Sequence, residues 1–504
     1  MIVAGPVETL VIGGGASGCA VAGLLAANSD ENVLLLEAGP DYGARDSGRW
    51  PQDLLDATQN PVTHDWGYHS GGTLPDRVLT FDRARVIGGC GSHNGCQAMI
   101  GHRLDYDGWA AAGNPGWGAQ DLQPVITSVY ERLRLNRYAE NEVTPFQQAA
   151  IDAMVAFGLP RVADLNDLDQ DLGVNHHWAN IVDGIRWNPS FAYIDPVRHA
   201  KNLQIIGDAL CDHLIIEHGR VTGASVIIGG RRQAIEAQRV VLSAGVYGSP
   251  AILMRSGIGD PAGLHRHAIP VRHSLTGVGK NLHDHPSADL RFAGTDELVG
   301  RSRAFSASQF HPEEQVIGKG RTRECNEAFD LHFYTVGGAR RADPDHFNWD
   351  FKVGLMTPMA RGTVTLRSAD PGALPFLDHA FLSDPRGADL DRLTEGFEQY
   401  EEIVSQQEFA ELLGDEVFPG PQIRSKYSKR EIVARTVSHC FHPVGTCKMG
   451  PAGDVNAVVD ANGHLHGLEG CLVADASIIP VVPRANTHLP SVLVGERIAA
   501  GLMR

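Results

Sequence analysis

The feature that most constrains this chain is a glycine-rich turn close to its N-terminus. Residues 9–27, TLVIGGGASGCAVAGLLAA, run as an apolar strand, a turn and a helix, and residues 32–39, NVLLLEAG, form a second apolar stretch. Apolar runs separated by a turn in this order are typical of a β-α-β unit. The chain is therefore predicted to begin an α/β fold of the Rossmann type.

The three glycines of this turn, Gly13, Gly15 and Gly18, form the pattern G-x-G-x-x-G. In a dinucleotide site the first glycine permits the tight turn and the second lets the backbone approach a pyrophosphate. The third lets the helix pack against the strand. Ala16 and Ser17 would begin a helix whose free N–H groups and positive dipole end face the phosphates.

Glu37 ends the second apolar stretch and is followed by Ala38. A carboxylate at this place can accept hydrogen bonds from both ribose hydroxyls of an adenosine, and it would repel a 2′-phosphate. Because strand, turn, helix, second strand and glutamate follow in the required order, we expect a dinucleotide other than NADP. The pattern does not distinguish NAD from FAD.

Charge and composition disfavour several classes of partner. The 504 residues carry a net charge of -17, with 43% hydrophobic and 20% charged residues, which is typical of a soluble globular protein large enough for two domains. Basic residues are not clustered as nucleic acid or an anionic membrane requires, and the eight cysteines form no C-x-x-C pair. Neither a signal peptide nor an apolar run of transmembrane length is visible, so a cytoplasmic location is expected.

The rest of the chain shows helical and strand patterns without an internal repeat or a low-complexity linker. Hydrophobic periodicity predicts helices at 119–135, 144–158, 391–409 and 489–503. Alternation of apolar and polar residues predicts several short strands within 202–245, and further strands at 329–337, 350–359, 362–368 and 471–477. We therefore expect two domains between which the chain passes more than once.

Five further segments resemble the glucose–methanol–choline (GMC) family of flavin oxidoreductases. They are ARVIGGCGSHNG (84–95), AGVYGSPAILMRSGIG (244–259), GVGKNLHDHP (277–286), FHPVGTCKMG (441–450) and VADASIIPVVPRANTHLPSVLVGERIA (473–499). The segments follow the order of the family over nearly the whole chain, while residues 295–430 match loosely.

The resemblance implies an α/β fold, α+β overall, in which a Rossmann-like FAD-binding domain carries a second, substrate domain built on an antiparallel sheet. The domain division that it implies assigns 1–150, 201–290 and 436–504 to the FAD-binding domain. Residues 151–200 and 291–435 are assigned to the substrate domain, which would lie over the flavin ring.

The resemblance also implies a set of cofactor contacts. Close backbone approach at Gly88 and Gly89 would bring amides near Asn94 to the electron-rich edge of the flavin ring. Asp475 and Ala476 match residues that hold the ribityl or phosphate region of FAD. The remaining implied contacts are Arg85, Val86, Gly95, Cys96, Cys211 near the adenine, and Thr487 and Pro490 near the flavin pyrimidine.

His93 departs from the common family pattern, as do Cys90 and Val246. The segment around His93 resembles choline oxidase-like members, in which the matching histidine is bonded covalently to the flavin. A covalent link to FAD through His93 is the first interpretation. A histidine that packs against the flavin without a bond, or one that makes no contact, are the alternatives.

His442 and His488 are the candidate catalytic residues. Alcohol oxidation by a flavin needs a base for the hydroxyl proton and a donor that stabilises the developing alkoxide, and histidine suits both tasks. Both positions match histidines of the family pattern. We expect His442 to act as the base and His488 to hold the substrate oxygen, with reversed or shared roles left open because close imidazoles titrate together.

Other polar residues of these segments are given smaller roles. No metal site is expected, because His439 and the histidines around Asp284 lack a complete ligand cluster. Cys440, His332 and Tyr334 are candidate substrate contacts, although strand alternation equally makes the last two ordinary sheet residues.

The predicted function is FAD-dependent oxidation of an alcohol CH–OH group to an aldehyde or ketone, with hydride transfer to flavin N5. Oxygen or another acceptor would reoxidise the flavin. Hydroxynitrile lyase-type chemistry without net redox, an NAD-dependent dehydrogenase and a flavoprotein kept for binding alone are the alternatives. The sequence does not identify the alcohol. No carboxylate can be assigned to a quaternary ammonium, so choline itself is not supported, and a sugar or a hydroxymethyl-bearing ring fits equally well.

Overall fold

The computed structural model describes residues 7–71, 77–340 and 343–503. Two seven-stranded sheets dominate it. The first sheet has the strand order Leu203–Ile206, Val33–Leu36, Val7–Ile12, Arg231–Leu242, Arg220–Ile228 and Ala209–Glu217, with Cys471–Val473 also paired to Arg231–Leu242.

The N-terminal strand lies in the middle of the first sheet. It is parallel to its neighbours on both sides, with Leu10 opposite Leu34 on one side and Val240 on the other. Strands covered on both faces have near-continuous apolar sequences, as this one does. The turn that follows leads directly into helix Ala16–Asn28, which packs against the C-terminal helix His488–Leu502. The predicted β-α-β unit is thus present.

The second sheet is antiparallel throughout. Its strand order is Leu413–Phe418, Pro286–Gly294, Asp343–Leu355, Leu331–Arg340, Val316–Gly320 and Gly173–His176, with Ser438–His439 also paired to Pro286–Gly294. The predicted architecture, a Rossmann-like sheet with a second domain on an antiparallel sheet, is confirmed.

The strand register determines which side chains of the second sheet face the first domain. Tyr334 lies opposite Lys352 and His332 lies opposite Gly354. Because successive side chains alternate between faces, these positions share one face of the sheet. Phe333 and Phe351 occupy the other face, where both rings contact Tyr400 of helix Ala388–Val404.

The remaining elements cover the two sheets. The other helices are Gln52–Leu55, Arg103–Ala111, Ala119–Arg132, Pro145–Phe157, Gly245–Arg255, Pro261–His265, Asp296–Ser306 and Lys426–Thr436. Short strand pairs are Asn136–Arg137 with Trp178–Ala179, Ile181–Val182 with Ile185–Arg186, Ile258–Gly259 with His273–Ser274, and Thr363–Thr365 with Phe376–Asp378.

The chain passes between the sheets several times. The first sheet takes strands from 7–36, 203–242 and 471–473, and the second takes strands from 173–176, 286–355 and 413–439. This interleaving of the chain supports the expected domain limits, which stay a proposal. Among the residues that the structure describes, no helix is both long and apolar enough to cross a bilayer.

Candidate active site

A large cavity lies between the ends of the first sheet and one face of the second. Many residues singled out in the sequence line it: Gly13, Gly15, Ala16, Ser17, Glu37, Ala38, Gly89, His93, Asn94, Gly95, Cys211, Tyr334, Cys440, His442, Asp475, Ala476, Thr487 and His488. The cavity therefore joins the glycine turn at one end of the chain to both candidate catalytic histidines at the other.

The glycine turn is built so that two backbone segments can touch. Gly13 has φ +102°, and a Cβ there would lie 2.4 Å from the carbonyl oxygen of Ser243. Gly89 has φ +55°, and a Cβ on it would lie 2.6 Å from Cα of Gly15. A Cβ on Gly15 would meet no atom closer than 3.9 Å, so it would project into the open cavity. Glycine at this last position keeps the space beside the helix start free.

Glu37 is buried at the end of its strand. Its Oε2 accepts from the N–H of Gly14 at 2.9 Å, and its Oε1 accepts from the N–H of Gly39 at 2.7 Å. Burial raises the pKa of this carboxyl, while the two N–H donors oppose the rise. The side chain is held against the turn and still lines the cavity, so its remaining lone pairs can face a ligand.

Asp475 shapes the cavity from a position two residues after the last strand of the first sheet. Its Oδ2 accepts from the N–H of Gly245 at 2.9 Å and from the hydroxyl of Ser249, and its Oδ1 accepts from the N–H of Ser477. These bonds fix the start of helix Gly245–Arg255 at the cavity wall. The carboxylate is thus bonded first to its own chain, within the segment where a phosphate or ribityl contact was predicted.

Seven predicted contacts do not line the cavity: Gly18, Arg85, Val86, Gly88, Cys96, Pro490 and His332. Gly18 packs on the turn, where a Cβ would lie 1.9 Å from the carbonyl oxygen of Gly13. Val86, Cys96 and Pro490 are buried within the protein interior, and Arg85 is exposed and lies over the ring of Trp66.

Gly88 and His332 serve the structure in other ways. Gly88 donates its N–H to the carbonyl of Gly14, which joins the two glycine-rich segments, and its φ is +86°. His332 stacks on Phe329 and bonds through Nδ1 to the hydroxyl of Tyr334 at 3.0 Å. It does not line the cavity itself, but it contacts Tyr334, which does.

His93 lies at the cavity wall with one ring nitrogen already engaged. Its Nε2 is 2.7 Å from the carbonyl oxygen of Thr63, and since a carbonyl only accepts, Nε2 carries the proton. Burial lowers the pKa of this ring. Nδ1 is left as the nitrogen with a free lone pair.

His442 is fixed by two neighbours from the segment NLHDHP. Its N–H donates to Oδ1 of Asp284 at 2.9 Å, and its Nδ1 lies 3.0 Å from Nδ1 of His285. The segment pairs with the strand before His442, where the N–H of Cys440 donates to the carbonyl of His285. His442 is 7% exposed, and burial lowers its pKa well below the ordinary histidine value.

The contact between the two rings determines where their protons sit. Burial lowers the pKa of His285 to about 3. The main-chain carbonyls of Pro483 and Met356 act in the opposite direction and raise this pKa, but burial has the larger effect. Nδ1 of His285 faces Nδ1 of His442, and Nε2 of His285 has no hydrogen-bond partner among the described residues. Of these two facing nitrogens one must donate and the other accept, and in the tautomer with the His285 proton on Nε2 the donor is Nδ1 of His442. Nε2 of His442 keeps a free lone pair.

His488 reaches the cavity from the first residue of the C-terminal helix. Its Nε2 has no hydrogen-bond partner among the described residues, and burial lowers its pKa to about 4. A Cβ on Gly91 would lie 2.9 Å from Cε1 of His488, so the glycine lets this ring pass close to the segment 88–95. A neutral imidazole with an unused nitrogen therefore faces the cavity.

Asp284, His285 and His442 also form a compact group. Among the described residues, this is the one set of three ligand-type side chains whose ligand atoms lie within 4.8 Å of one another. Hydrogen bonds account for the spacing, because the two Nδ1 atoms face each other and Asp284 accepts from the His442 N–H. Burial raises the pKa of Asp284 to about 7, against the charge of Arg83.

Several residues of this site were not singled out for it in the sequence. Asp284 and His285 stand in a matched segment, so their signal was present, but their contact with His442 depends on strand pairing. Glu314 and Lys352 also line the cavity. A charged residue inside the apolar strand pattern DFKVGLM was the available signal for Lys352.

The glycine turn, the uncapped start of helix Ala16–Asn28 and Glu37 beside one cavity are typical of a dinucleotide-binding protein. Two models of the GMC oxidoreductase family match residues 7–287 and 358–495. The chain belongs to the GMC oxidoreductase family.

Similar proteins cover almost the whole chain. It is 31% identical to oxygen-dependent choline dehydrogenase 1 of Chromohalobacter salexigens, over 98% of this chain and 94% of the relative. It is 29% identical to choline oxidase of Arthrobacter globiformis, over 98% of this chain and 93% of the relative. The crystal structure of pyridoxine 4-oxidase from Mesorbium loti superposes with a TM-score of 0.87 at 26% identity, covering 98% and 99% of the two chains.

The residues of the cavity fit the FAD expected for this family. Gly15 has no side chain and leaves space for a ligand beside the start of helix Ala16–Asn28. That helix start has no side-chain cap, so its N–H groups suit a pyrophosphate. The carboxylate of Glu37 suits ribose hydroxyls. The start of helix His488–Leu502 also lacks a side-chain cap, so its N–H groups and dipole suit the electron-rich pyrimidine edge of a flavin.

Proposed function

We propose that the protein oxidises the CH–OH group of an alcohol to an aldehyde or ketone. The observation that supports this most strongly is the position of His442 and His488, which line one cavity with the glycine turn. Each is a buried, neutral imidazole with a nitrogen that its own chain does not use. Such a pair can take one proton and hold one oxygen.

His442 is the proposed general base. The hydrogen bond from its Nδ1 to His285 holds the tautomer in which Nε2 has the lone pair, so Nε2 accepts the hydroxyl proton of the substrate. The bond from its N–H to Asp284 fixes the backbone beside it.

His488 is the proposed oxygen-binding partner. Its unpartnered Nε2 is placed to donate a hydrogen bond to the substrate oxygen as negative charge develops there. FAD, when bound, supplies the acceptor for the hydride that leaves the substrate carbon. The N–H groups at the start of helix His488–Leu502 stabilise negative charge at that side of the cavity.

The relatives give a range of substrates. The names of the similar proteins refer to choline and pyridoxine, and their chains match this one at comparable identity. We propose an alcohol that bears further polar groups. Oxygen or another small acceptor would complete the cycle.

We further propose that His93 contacts the flavin and forms a covalent link to it. Since Nε2 is bonded to Thr63, the nitrogen available for a bond is Nδ1. Precipitation of the protein with acid tests this link. A yellow pellet supports it, and a colourless pellet with a yellow supernatant shows FAD held without a bond.

The proposed reaction is tested by anaerobic addition of a panel of alcohols to the yellow holoenzyme, followed by air. A flavin loses its absorbance band at about 450 nm when it is reduced. We expect at least one alcohol to bleach this band, and oxygen or an added dye to restore it. Formation of an aldehyde from a cyanohydrin without bleaching would show lyase chemistry instead.

A further inference from the structure

Among the charged side chains that line the cavity, Glu314 and Lys352 have opposite charges and come from the second sheet and the segment before one of its strands. Glu314 comes from the segment just before strand Val316–Gly320, and Lys352 comes from strand Asp343–Leu355. Both line the cavity together with Tyr334. Lys352 is paired with Tyr334 across adjacent strands, so the two side chains project from the same face of the second sheet.

Glu314 has an unpaired carboxylate that faces the cavity. It forms no side-chain hydrogen bond with the residues that the structure describes. A Cβ on Gly95 would lie 3.6 Å from its Oε2, which places the carboxylate beside the segment predicted to meet the flavin edge. Burial raises the pKa of Glu314 to about 7, and the charge of Lys352 opposes that rise. A hydrogen-bond donor brought by a ligand would therefore relieve a buried acceptor.

Lys352 is the matching cation. Its Nζ lies 4.0 Å from Oδ1 of Asp289, at the limit of an ion pair, and 5.9 Å from the ring centre of Phe441. Burial lowers the pKa of Lys352, but the nearby carboxylates of Asp289, Glu314 and Asp350 raise it, and the pKa ends above its ordinary value. Lys352 thus stays protonated and keeps N–H donors for an acceptor in the cavity.

We propose that Glu314 and Lys352 recognise the end of the substrate remote from the oxidised carbon, and that the substrate is a planar, dipolar alcohol. Its hydroxymethyl group would stand on a ring that offers an N–H or O–H donor to Glu314 and an oxygen acceptor to Lys352. The inference rests on the proposed function and names its substrate class.

Competing classes of alcohol fit the pair less well. A quaternary ammonium has no N–H donor and would share the cavity with the Lys352 cation. A carboxylate-bearing alcohol would meet Glu314. A plain aromatic alcohol would cover both charged groups without offering either a hydrogen bond, and sites built to bond a polar ligand reject ligands that lack the required groups. The rings of Tyr334 and Phe441 at the cavity wall suit a flat substrate.

The test compares the anaerobic rates at which three kinds of alcohol bleach the holoenzyme. The probes are the isomers of hydroxymethyl-3-hydroxypyridine, each tested separately, together with benzyl alcohol and choline. We expect the best hydroxypyridine to reduce the flavin at least about 100-fold faster per unit concentration than the other two. Equal rates for benzyl alcohol or choline would overturn the inference while leaving alcohol oxidation intact.

Variants assign the effect to the two residues. Glu314→Gln and Lys352→Met should each slow the hydroxypyridine reaction by about 10- to 100-fold and change the benzyl alcohol reaction less than about threefold. Glu313→Gln is the matched control, because Glu313 is the adjacent carboxylate and does not line the cavity. Equal loss with both alcohols would contradict selective recognition.

A binding measurement separates this inference from the proposed reaction. Titration of oxidised holoenzyme with 3-hydroxypyridine or toluene, followed by the shift of the flavin spectrum, gives a Kd without turnover. We expect Glu314→Gln to weaken the binding of 3-hydroxypyridine at least about tenfold and that of toluene, which has no polar group, much less. If this holds but no alcohol bleaches the flavin, the proposed reaction falls and the recognition site stands. If 3-hydroxypyridine binds all variants equally, the recognition site falls.

Discussion

At the scale of single residues, the site depends on how one imidazole is kept neutral and correctly protonated. His442 has its main chain bonded to Asp284 and its Nδ1 bonded to His285. Neither contact uses Nε2, which is the atom that the proposed reaction needs. His285 therefore acts as a positioning residue for the base, comparable to a group that orients the histidine of a catalytic triad.

Replacement of His285 tests this positioning role. In His285→Phe the acceptor for Nδ1 of His442 is lost while an aromatic ring is kept, so we expect flavin reduction to slow by about 10²-fold with little change in substrate Kd. His285→Asn retains an oxygen near the position of Nδ1 and should recover most of the rate. Stopped-flow absorbance gives both quantities. Equal loss in the two variants would show a structural role only.

The pH dependence follows from burial of the two histidines. A base works in its neutral form, and burial lowers the pKa of His488 to about 4 and that of His442 well below its ordinary value. A lowered pKa keeps the neutral form at more acidic pH. With an alcohol that does not titrate, the rate of flavin reduction should stay constant from about pH 8 to about pH 6 and fall only at lower pH. An acid limb centred at or above about pH 6.5 would contradict this account.

At the scale of elements, helix starts and glycine turns form the cofactor side of the cavity. Helix Ala16–Asn28 begins without a side-chain cap beside Gly15. Gly89 lies so close to Gly15 that a Cβ on Gly89 would come within 2.6 Å of Cα of Gly15. The backbone, rather than charged side chains, thus provides the anion site, as in other dinucleotide-binding turns.

A valine at position 15 tests this arrangement. In Gly15→Val the branched side chain enters the cavity, so we expect the protein to fold but to purify with less than about one tenth of the FAD of the parent protein. Flavin absorbs at about 450 nm and protein at about 280 nm, so the ratio of the two absorbances measures the FAD loading. Gly108→Ala is the control, because its Cβ meets no atom within 4 Å and it lies in helix Arg103–Ala111. Full loading of Gly15→Val would contradict the account.

The elements also show what the sequence could predict. Long periodic segments were predicted well, as in helices Ala119–Arg132 and Pro145–Phe157, because their apolar stripe repeats over several turns. Helices Asp296–Ser306 and Lys426–Thr436 were missed, since both are largely polar and bury few residues. The predicted strand at 471–477 ends at Val473, because Asp475 caps a short helical turn.

The contacts within the site were harder to predict than its members. The glycine turn, His442 and His488 stand in local patterns that the sequence displays. The contact of His285 with His442 and the pairing of Tyr334 with Lys352 depend on register between strands far apart in the chain. Register is set by packing of whole faces, which a local pattern does not contain.

At the scale of the whole molecule, one cavity joins segments from both ends and the middle of the chain. Its wall takes residues from the N-terminal turn, the middle of the first sheet, the second sheet and the C-terminal helix. A ligand that binds there contacts all of these only when the molecule is folded. Binding should therefore be linked to global stability.

Removal of FAD tests this linkage. We expect the apoprotein to unfold at a temperature at least several degrees below the holoprotein, because a ligand at 100 times its Kd adds about 2.7 kcal/mol to the free energy of unfolding. Differential scanning calorimetry before and after removal, with FAD added back as a control, measures the shift. If His93 is bonded to FAD, the comparison uses His93→Ala protein. An unchanged unfolding temperature would show that the cofactor does not connect these segments.

The central claim is that His442 takes the alcohol proton while His488 holds the substrate oxygen. The most direct test is the anaerobic rate of flavin reduction in the double variant His442→Ala/His488→Ala, loaded with FAD, with the exposed His199→Ala as control. We predict that the double variant is slower than the parent by at least about 10³-fold, while His199→Ala matches the parent. Flavin reduction by the double variant at the parent rate would contradict the account.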